Sequence, residues 1–424
     1  MKSDSHSYPP LRIIALAAVC AILAPVAAAT AQEAGGDLGG GIGIFRPKNP
    51  ETKSSRRTNR ARSTGARATP PRRAAGGKTT AETAELEERI EDLLDEGNEA
   101  RDARKYSEGE QAYRSVLQLK GRDWRASYGL GNIYTDQQRW EEAERAYRQA
   151  VEANQLHADA YIALSYVLVQ PRAGGSNAKR FTDAEAAARR AIQLQPSNAV
   201  AYDRLGVALE ARAILNNDTE QAYRRAVELD PQFAVAYVHL ARLMRKTNRA
   251  SEAEGHYKRA IELARDAATL ILIADALQSE QRHKEAEPLL LRALEADARN
   301  PSALFLLGRG MLADRRYDEA EQVLKSAIEV SPRSFSPYYF LGSAYLRTDR
   351  YEDAERIYNR AAEFASAGDR KLLAGAFGLS GVGDGYMKAG RPNDAARVYQ
   401  RALEFDPSNA EVQSKLADAR ARRQ

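Results

Sequence analysis

Small and apolar residues recur along this chain at a fixed interval of 34 positions. The interval is clearest between residues 301–334 and 335–368, where the same residue types return in the same order: Leu307-Gly308 as Leu341-Gly342, Tyr317 as Tyr351, Ala320 as Ala354 and Ala327 as Ala361. A fixed period of this length is typical of chains built from stacked supersecondary units. Because such chains grow by adding units, the pattern overrides the two or three globular domains that 424 residues would otherwise suggest.

The same marks continue on both sides of this pair. Upstream they are Leu130-Gly131, Tyr134, Trp140, Ala143, Tyr147 and Ala150, and near the end they are Gly383, Tyr386, Ala395, Tyr399, Ala402 and Pro407. The pattern resembles the tetratricopeptide repeat (TPR) family, whose unit is two antiparallel helices, over roughly residues 90–424. The resemblance implies an all-α superhelical solenoid of about nine helix-turn-helix repeats within residues 79–424. A last amphipathic helix, residues 410–421, is predicted to cap it.

Local signals agree with this arrangement. Thr79 and Glu82 form a capping box that predicts the start of the first helix. Asp-Pro and Ser-Pro pairs are expected to end second helices, as at Asp406-Pro407, because proline cannot continue a helix. Two insertions of about seven residues, around residues 170–177 and 367–374, interrupt the period. Glycine or alanine at positions such as Gly308 is expected to let helix backbones approach while leucines fill the space between them.

Residues 1–31 are predicted to be a cleaved export signal. Lys2 and Arg12 precede a 17-residue apolar run, and Ala29-Thr30-Ala31 forms a cleavage site before Gln32. The alternative is an uncleaved membrane anchor, which is disfavoured because the run is shorter than the ~20 residues that span a bilayer. The predicted location is therefore exported, in the periplasm or outside the cell, with a bacterial envelope favoured. The only cysteine, Cys20, lies in the signal, so the mature chain would form no disulfide.

Residues 32–78 differ in composition from the rest of the chain. A glycine-rich start is followed by eleven basic residues against one acid between Arg46 and Lys78, with no apolar period. This composition predicts a disordered basic linker, and the remaining chain, residues 79–424, carries a net negative charge. Candidate polyanion-binding residues in this tail are Arg56, Arg57, Arg60, Arg62, Arg67, Arg72 and Arg73. The alternative is a solubilising spacer. Nucleic acid is disfavoured because the run lacks aromatic side chains for base stacking.

No motif in the sequence indicates an enzyme. The five histidines never fall at metal-ligand spacing, and the mature chain has no thiol. Gly378-Leu379-Ser380-Gly381-Val382 lacks the second glycine of a nucleophile elbow and falls in a predicted helix. We therefore expect no catalytic residue, no metal, no cofactor and no small-molecule substrate.

The TPR resemblance implies that the first helix of each unit lines a concave groove. Residues two before and two after the leucine of the Leu-Gly pair, and arginines one turn further on, then face it. The candidates for partner binding are Tyr128, Asn132, Tyr166, Arg242, Arg245, Phe305, Arg309, Tyr339 and Arg347. Aromatic residues and arginines are the types that anchor peptide interfaces. The alternative is that part of this stripe packs against the neighbouring unit.

These features predict a non-catalytic scaffold or adaptor that binds a partner protein or peptide in its groove. Asn132 alone occupies an asparagine position of the family's carboxylate clamp, which disfavours a receptor for chaperone tails. One rival is an envelope protein that binds polyanions through its basic tail. Another is a non-catalytic relative of the repeat region of a glycosyltransferase, although the asparagine ladder of such grooves is expected to be absent. The oligomeric state is left open.

Overall fold

The computed structural model describes residues 46–52, 80–170 and 177–422. The predicted signal peptide (1–31), Thr79, the candidate tail arginines from Arg56 to Arg73 and residues 171–176 of the first insertion lie outside the described residues. All regular structure within the described ranges is helical.

Within these described ranges the helices form a row of nine antiparallel pairs followed by a last single helix, which confirms the predicted solenoid. In chain order they are α1 (Thr80–Asp102), α2 (Tyr106–Leu119), α3 (Trp124–Asp136), α4 (Trp140–Ala153), α5 (Ala158–Leu168), α6 (Ala178–Leu194), α7 (Ala199–Ala211), α8 (Asn217–Leu229), α9 (Ala234–Lys246), α10 (Ala250–Leu263), α11 (Ala267–Ser279), α12 (His283–Ala296), α13 (Pro301–Ala313), α14 (Tyr317–Val330), α15 (Phe335–Arg347), α16 (Tyr351–Ala362), α17 (Ala367–Ala374), α18 (Leu379–Lys388), α19 (Pro392–Phe405) and α20 (Ala410–Ala421). The nine pairs are α1/α2 through α15/α16 and α18/α19, and α20 is the cap.

The first helices of the pairs form one continuous surface. Each second helix packs against its own first helix and against the first helix of the next pair. Successive first helices, apart from α3 and α5, also meet one another directly, and no comparable contact joins successive second helices within the described chain. Because the first helices approach more closely, the row bends with them on the inside. We call the surface formed by α1, α3, α5, α7, α9, α11, α13, α15 and α18 the inner face.

Six of the nine pairs in the described chain are held together by a glycine of the first helix under a large side chain of the second. A Cβ atom added at these glycines would lie only 2.4–2.7 Å from the side chain above, in the pairs Gly97 with Tyr113, Gly131 with Tyr147, Gly206 with Tyr223, Gly308 with Leu324, Gly342 with Tyr358 and Gly383 with Tyr399. The rings and Leu324 are fully buried. The predicted interlock of small and large residues is therefore present, but tyrosine fills most of these sites.

Most turns between the two helices of a pair contain a residue in the left-handed backbone region. These residues, with φ between 57° and 72°, are Arg104, Gln138, Ala213, Asn248, Gln281, Arg315, Asp349 and Gly390. The amide of Arg316, just after such a residue, donates to the carbonyl of Met311 at 2.8 Å, which is the bond of a Schellman motif. Only one of the eight is glycine, although this conformation costs other residues ~1–2 kcal/mol. Seven of these eight helix ends therefore lack the glycine that would mark them in the sequence.

Arginines at the starts of the second helices connect neighbouring pairs. Arg316 bonds to Glu319 in its own helix and to Glu287 in the preceding second helix, at 2.7–2.9 Å. The same arrangement recurs one period on, where Arg350 bonds to Asp353 and Glu321. The two arginine side chains are a third or more exposed, so each ion pair contributes at most ~1 kcal/mol. These charged side chains therefore link neighbouring units as well as solvating the helix surfaces.

The second insertion is a short helix. Residues of α17 follow a capping box in which the amide of Asp369 donates to Ser366 and the amide of Ser366 donates to Asp369. The chain then passes over the last pairs, and the carbonyl of Phe377 accepts a hydrogen bond from the Tyr358 hydroxyl at 2.6 Å. The insertion is thereby tied to the interlock of the eighth pair.

A charged cluster is buried on the inner face between α7 and α9. Asp203 accepts from Arg204 at 2.5 Å and bonds to Nδ1 of His239 at 2.6 Å, and all three side chains are nearly inaccessible. Burial by itself would raise the pKa of Asp203, but His239 and Arg204 outweigh this effect and lower the pKa to about 2. Asp203 therefore stabilises the fold in its charged form.

The interlock makes opposite predictions for two helical glycines. Gly342→Ala should lower the free energy of unfolding by ~1–3 kcal/mol, because the buried Tyr358 ring must move and weaken its bonds to Ser343 and Phe377. Gly255→Ala is the control, since nothing lies within 4 Å of an added Cβ there. It should stabilise the protein by up to ~1 kcal/mol through helix propensity. Urea unfolding followed by circular dichroism measures both, and equal effects would contradict the interlock.

Replacing the buried carboxylate should have a pH-dependent effect. Asp203→Asn removes the buried carboxylate that pairs with Arg204 and should destabilise the fold by ~3–5 kcal/mol near neutral pH. A carboxylate whose pKa is depressed stabilises the folded state above its unfolded pKa, and this is lost as the pH falls through the folded pKa. The gap in melting temperature between wild type and Asp203→Asn should therefore narrow from pH 4 to pH 2. A gap that stays constant over this range would exclude the depressed pKa.

Candidate functional site on the inner face

Seven residues of the predicted linker lie against the first two helix pairs. We call residues 46–52 the N-terminal segment. It has no regular secondary structure and rests on the inner-face helices α1 and α3. Pro47, Pro50 and Thr52 are buried, whereas Lys48 and Glu51 are exposed. The sequence predicted no structure for these residues, and its basic, apolar-poor composition gave no sign of the contacts. The linker boundaries, residues 32–78, stay a prediction.

The inner face recognises the main chain of the N-terminal segment. Three side chains donate to three carbonyl groups: Asn98 to Pro50 at 3.1 Å, Asn132 to Lys48 at 2.9 Å and Arg101 to Pro47 at 2.7 Å. Carbonyl groups are common to all residues, so these contacts select an available main chain rather than a particular side chain. An unstructured peptide offers such carbonyls, whereas a helix uses them internally.

Buried tyrosines set the direction of the two asparagine amides. The hydroxyl of Tyr113 donates to Oδ1 of Asn98 at 2.7 Å, and that of Tyr147 donates to Oδ1 of Asn132 at 2.9 Å. Burial raises the pKa of both hydroxyls, so they keep the proton that they donate. With each Oδ1 occupied in this way, each Nδ2 is directed towards the segment. The interlock inside each pair thereby preorganises the donors on the inner face.

Arg101 is positioned in the same manner by a carboxylate. Its Nε and Nη2 atoms form a two-point contact with Asp136, at 2.8 and 2.9 Å, and its side chain is only 1% exposed. Burial lowers the pKa of the guanidinium, but the bond to Asp136 outweighs this and the net pKa is raised. Nη1 remains for the segment, where it donates to Pro47 and to Oδ1 of Asn49.

Aspartates supply the other side-chain contacts. Arg46 pairs with Asp102 at 3.2 Å and with Asp136 at 3.5 Å, and Nδ2 of Asn49 donates to Asp102 at 2.9 Å. At the other end of the segment, the hydroxyl of Thr52 donates to Asp95 at 2.5 Å. The site therefore combines carbonyl-directed donors with acidic groups that favour basic and hydroxyl-bearing side chains.

Of the two asparagines that bind the segment, Asn132 was predicted from the sequence and Asn98 was not. Asn98 precedes Asn132 by one 34-residue period, and Asp102 precedes Asp136 by the same interval. The expectation that Asn132 stands alone is wrong, because Asn98 holds the equivalent position in the first pair, which departs from the repeat pattern at several other positions. Projecting the period one unit upstream would have found both Asn98 and Asp102.

Two predicted groove residues are buried in packing between pairs. The Tyr128 ring is 2% exposed and contacts the Tyr147 and His157 rings at centroid distances of 5.8 and 5.3 Å. Tyr166 is 3% exposed and lies 5.6 Å below the Arg204 guanidinium. For these two the alternative interpretation, packing against a neighbour, describes their position.

Three of the predicted residues come together at the C-terminal end. Phe305 packs edge-on against Phe340 at 5.4 Å, and Tyr339 packs edge-on against the same ring at 5.6 Å. Arg309 lies 5.7 Å above Phe305 and bonds to Asp275 at 2.7 Å. All are half-buried, so part of each surface is accessible. We call Phe305, Arg309, Phe335, Tyr339 and Phe340 the aromatic cluster.

The remaining predicted residues lie apart from both regions. Arg245 is half-buried and pairs with Glu280 at 2.9 Å, and Arg242 is half-buried beside Glu210. Arg347 is exposed and lies 5.6 Å from the Phe377 ring. The partner-binding role of all nine candidates stays a prediction.

Neither a metal-binding cluster nor a membrane-spanning helix is present in the described residues. No group of three or more His, Cys, Asp or Glu in residues 46–52, 80–170 and 177–422 could hold a metal ion. Over those same ranges, no helix combines the length and apolar character that crossing a membrane requires.

Three solved structures with similar folds are distant from this chain in sequence. MamA from Desulfovibrio magneticus RS-1 is 18% identical, with 41% of this chain and 94% of that chain covered and a TM-score of 0.36. YrrB, a TPR protein with an unusual peptide-binding site, is 22% identical over 42% of this chain and 93% of that chain, with a TM-score of 0.33. The human IFIT1 dimer with PPP-AAAA is 15% identical over 80% of this chain and 90% of that chain, with a TM-score of 0.45.

Family models decide the classification. No curated protein matches the sequence. Models described as tetratricopeptide repeat match residues 94–158, 134–173, 271–334 and 311–369, and one described as TPR repeat matches residues 383–423. Together they cover more than half of the sequence, in the same region where the helix pairs lie. The chain belongs to the tetratricopeptide repeat family.

Proposed function

We propose that this protein is a non-catalytic scaffold whose inner face binds an unstructured segment of a partner protein. One observation carries the proposal: the inner face of the first two pairs already holds such a segment through main-chain carbonyls. The donors are oriented by buried tyrosines and by Asp136, so they are in place before a ligand arrives. Preorganised donors reduce the entropic cost of binding.

The aromatic cluster provides a second contact region. Half-buried rings and an adjacent arginine are the side-chain types that dominate binding energy in protein interfaces. The cluster lies six pairs away from the N-terminal segment, so a partner that reaches both would run along much of the inner face. Two separated contact regions on one partner raise the overall affinity through effective concentration.

Export to a bacterial envelope is part of the same proposal. It is supported by the apolar run of residues 13–29, the basic residues before it and the small residues that follow it. In this proposal the mature chain begins at Gln32, and the tail arginines Arg56 to Arg73 add attachment to an anionic surface.

Weakening the aromatic cluster should release the partner. Phe305→Ala with Tyr339→Ala should reduce capture of the partner from the native host's envelope fraction by at least tenfold, because both rings lose their exposed contact surface. Some stability will be lost as well, since the rings also pack against Phe340. Helical content and melting temperature should therefore be measured in parallel.

The matched control is Leu291→Ala, an exposed apolar side chain on the second helix α12 and so away from the inner face. It should leave capture unchanged. If the double variant stays folded and captures the same partner to the same extent, the cluster is not a binding region.

Export predicts a defined mature N-terminus. Mass spectrometry of the protein purified from the host envelope should show a chain that begins at Gln32. Ala29→Arg together with Ala31→Arg should block processing, because signal cleavage needs small residues at these positions. An intact N-terminus at Met1 in cytoplasmic protein would refute the export proposal.

A further inference from the structure

The N-terminal segment occupies a site that is built to bind a peptide. Its contacts involve both units of a repeated pattern: Asn98 and Asn132 are one period apart, and so are Asp102 and Asp136. Nothing in the chemistry of such a repeated site restricts it to a segment of its own chain. It provides the same donors and acids to any segment with matching chemistry.

We infer that residues 46–52 are a tethered competitor, which must leave the site before a basic, proline-containing segment of a partner can bind there. The inference rests on the proposed function, and it adds the chemistry of the partner and the regulation of the site. The occupant's own sequence, Arg-Pro-Lys-Asn-Pro-Glu-Thr, defines the chemistry.

Three features of the occupant specify the partner segment. Its carbonyls must be available, since three donors of the site, from Asn98, Arg101 and Asn132, bind main-chain oxygen. A basic side chain at one end meets Asp102 and Asp136, as Arg46 does. Buried prolines three residues apart, Pro47 and Pro50, suit the site because proline resists helix formation and carries no amide hydrogen to bury. An acidic segment would be repelled by the aspartates.

The tether makes this competition effective without making it permanent. Twenty-seven residues join Thr52 to Thr80, the first residue of α1. Covalent linkage of a ligand to its own site gives an effective concentration on the order of millimolar. If the free segment binds with a dissociation constant of ~0.1 mM, the tethered copy weakens the apparent affinity of a competing peptide by about tenfold. A partner with a second contact region overcomes a barrier of this size.

Peptide titration with two variants of the full mature chain tests the inference. The probe is a capped, fluorescently labelled peptide of residues 46–52. In the segment variant, Arg46→Ala, Asn49→Ala and Thr52→Ala remove the side-chain contacts of the tethered copy. The site variant adds Asn98→Asp, which still accepts the Tyr113 hydroxyl but no longer donates to a carbonyl. Asn98 is half-buried, so the new carboxylate keeps partial hydration.

The segment variant should bind the probe at least tenfold more tightly than wild type, and the site variant should lose most of that gain. A probe in which Arg46 and Lys48 are replaced by glutamate should bind at least tenfold more weakly than the native probe. Equal affinity of wild type and segment variant would overturn the inference, as would a segment variant that binds no probe.

Self-association provides a further discriminating result. If wild type forms a concentration-dependent dimer that the segment variant does not form, the segment binds a second copy, and the intramolecular assignment is wrong. Partner capture through the aromatic cluster is measured independently. If the protein captures its partner but the probe does not bind, only this inference is overturned. If the folded wild type captures no partner at all, the proposed function is overturned.

Discussion

The close approach of two helices over a residue without a side chain is the constraint on which this structure depends. A glycine in the first helix of a pair leaves room for a tyrosine ring from the second, and the ring leaves no room for a Cβ atom. The constraint fixes the separation of the helices and buries a large aromatic surface in a chain whose mature form is predicted to have no cysteine. It also decides where the tyrosine hydroxyl points. In the first, second, eighth and ninth pairs the hydroxyl reaches the residue just after the glycine, namely Asn98, Asn132, Ser343 and Asp384.

This constraint connects stability with binding. Because the tyrosine hydroxyl occupies Oδ1 of an inner-face asparagine, the amide nitrogen is directed outwards, and a packing interaction inside a pair becomes a donor on its surface. Where the residues at or after the glycine position differ, the tyrosine hydroxyl bonds to a different partner. The fifth pair has Ala241 in place of glycine, and the hydroxyl of Tyr257 bonds to Glu280 of the next pair instead. The fourth pair has Val207 after its glycine, and the Tyr223 hydroxyl bonds to Glu210. The character of the inner face therefore changes along the row, with carbonyl donors at the start and the aromatic cluster towards the end.

The N-terminal segment joins the basic tail of the sequence to its helical repeat region. Composition separates a basic tail from an acidic body, and these suggested rival functions, polyanion binding by the tail and peptide binding by the groove. The structure places the first basic residue of the tail against Asp102 and Asp136 of the body. The opposite charges of the tail and the body thus attract each other within one chain, and the start of the tail acts as a ligand of the inner face.

The sequence by itself determined the helix pairs, their number, their ends at proline and the capping helix, because a 34-residue period repeats local signals many times and errors at one unit are corrected by the others. It also placed Phe305, Arg309 and Tyr339 on one surface, since helical spacing fixes the face of a residue. Only the tertiary structure decided which of these side chains remain accessible. Tyr128 has the same position in the repeat as the half-buried Phe305 and Tyr339, and Tyr166 has the same position as the half-buried Arg309. Both Tyr128 and Tyr166 are nevertheless covered by neighbouring units. Nor could the period reveal the contacts of residues 46–52, because that segment has no repeat and no apolar pattern. Its site is formed by residues on two helices, 34 positions apart in sequence, whose donors are oriented by tyrosines from two further helices.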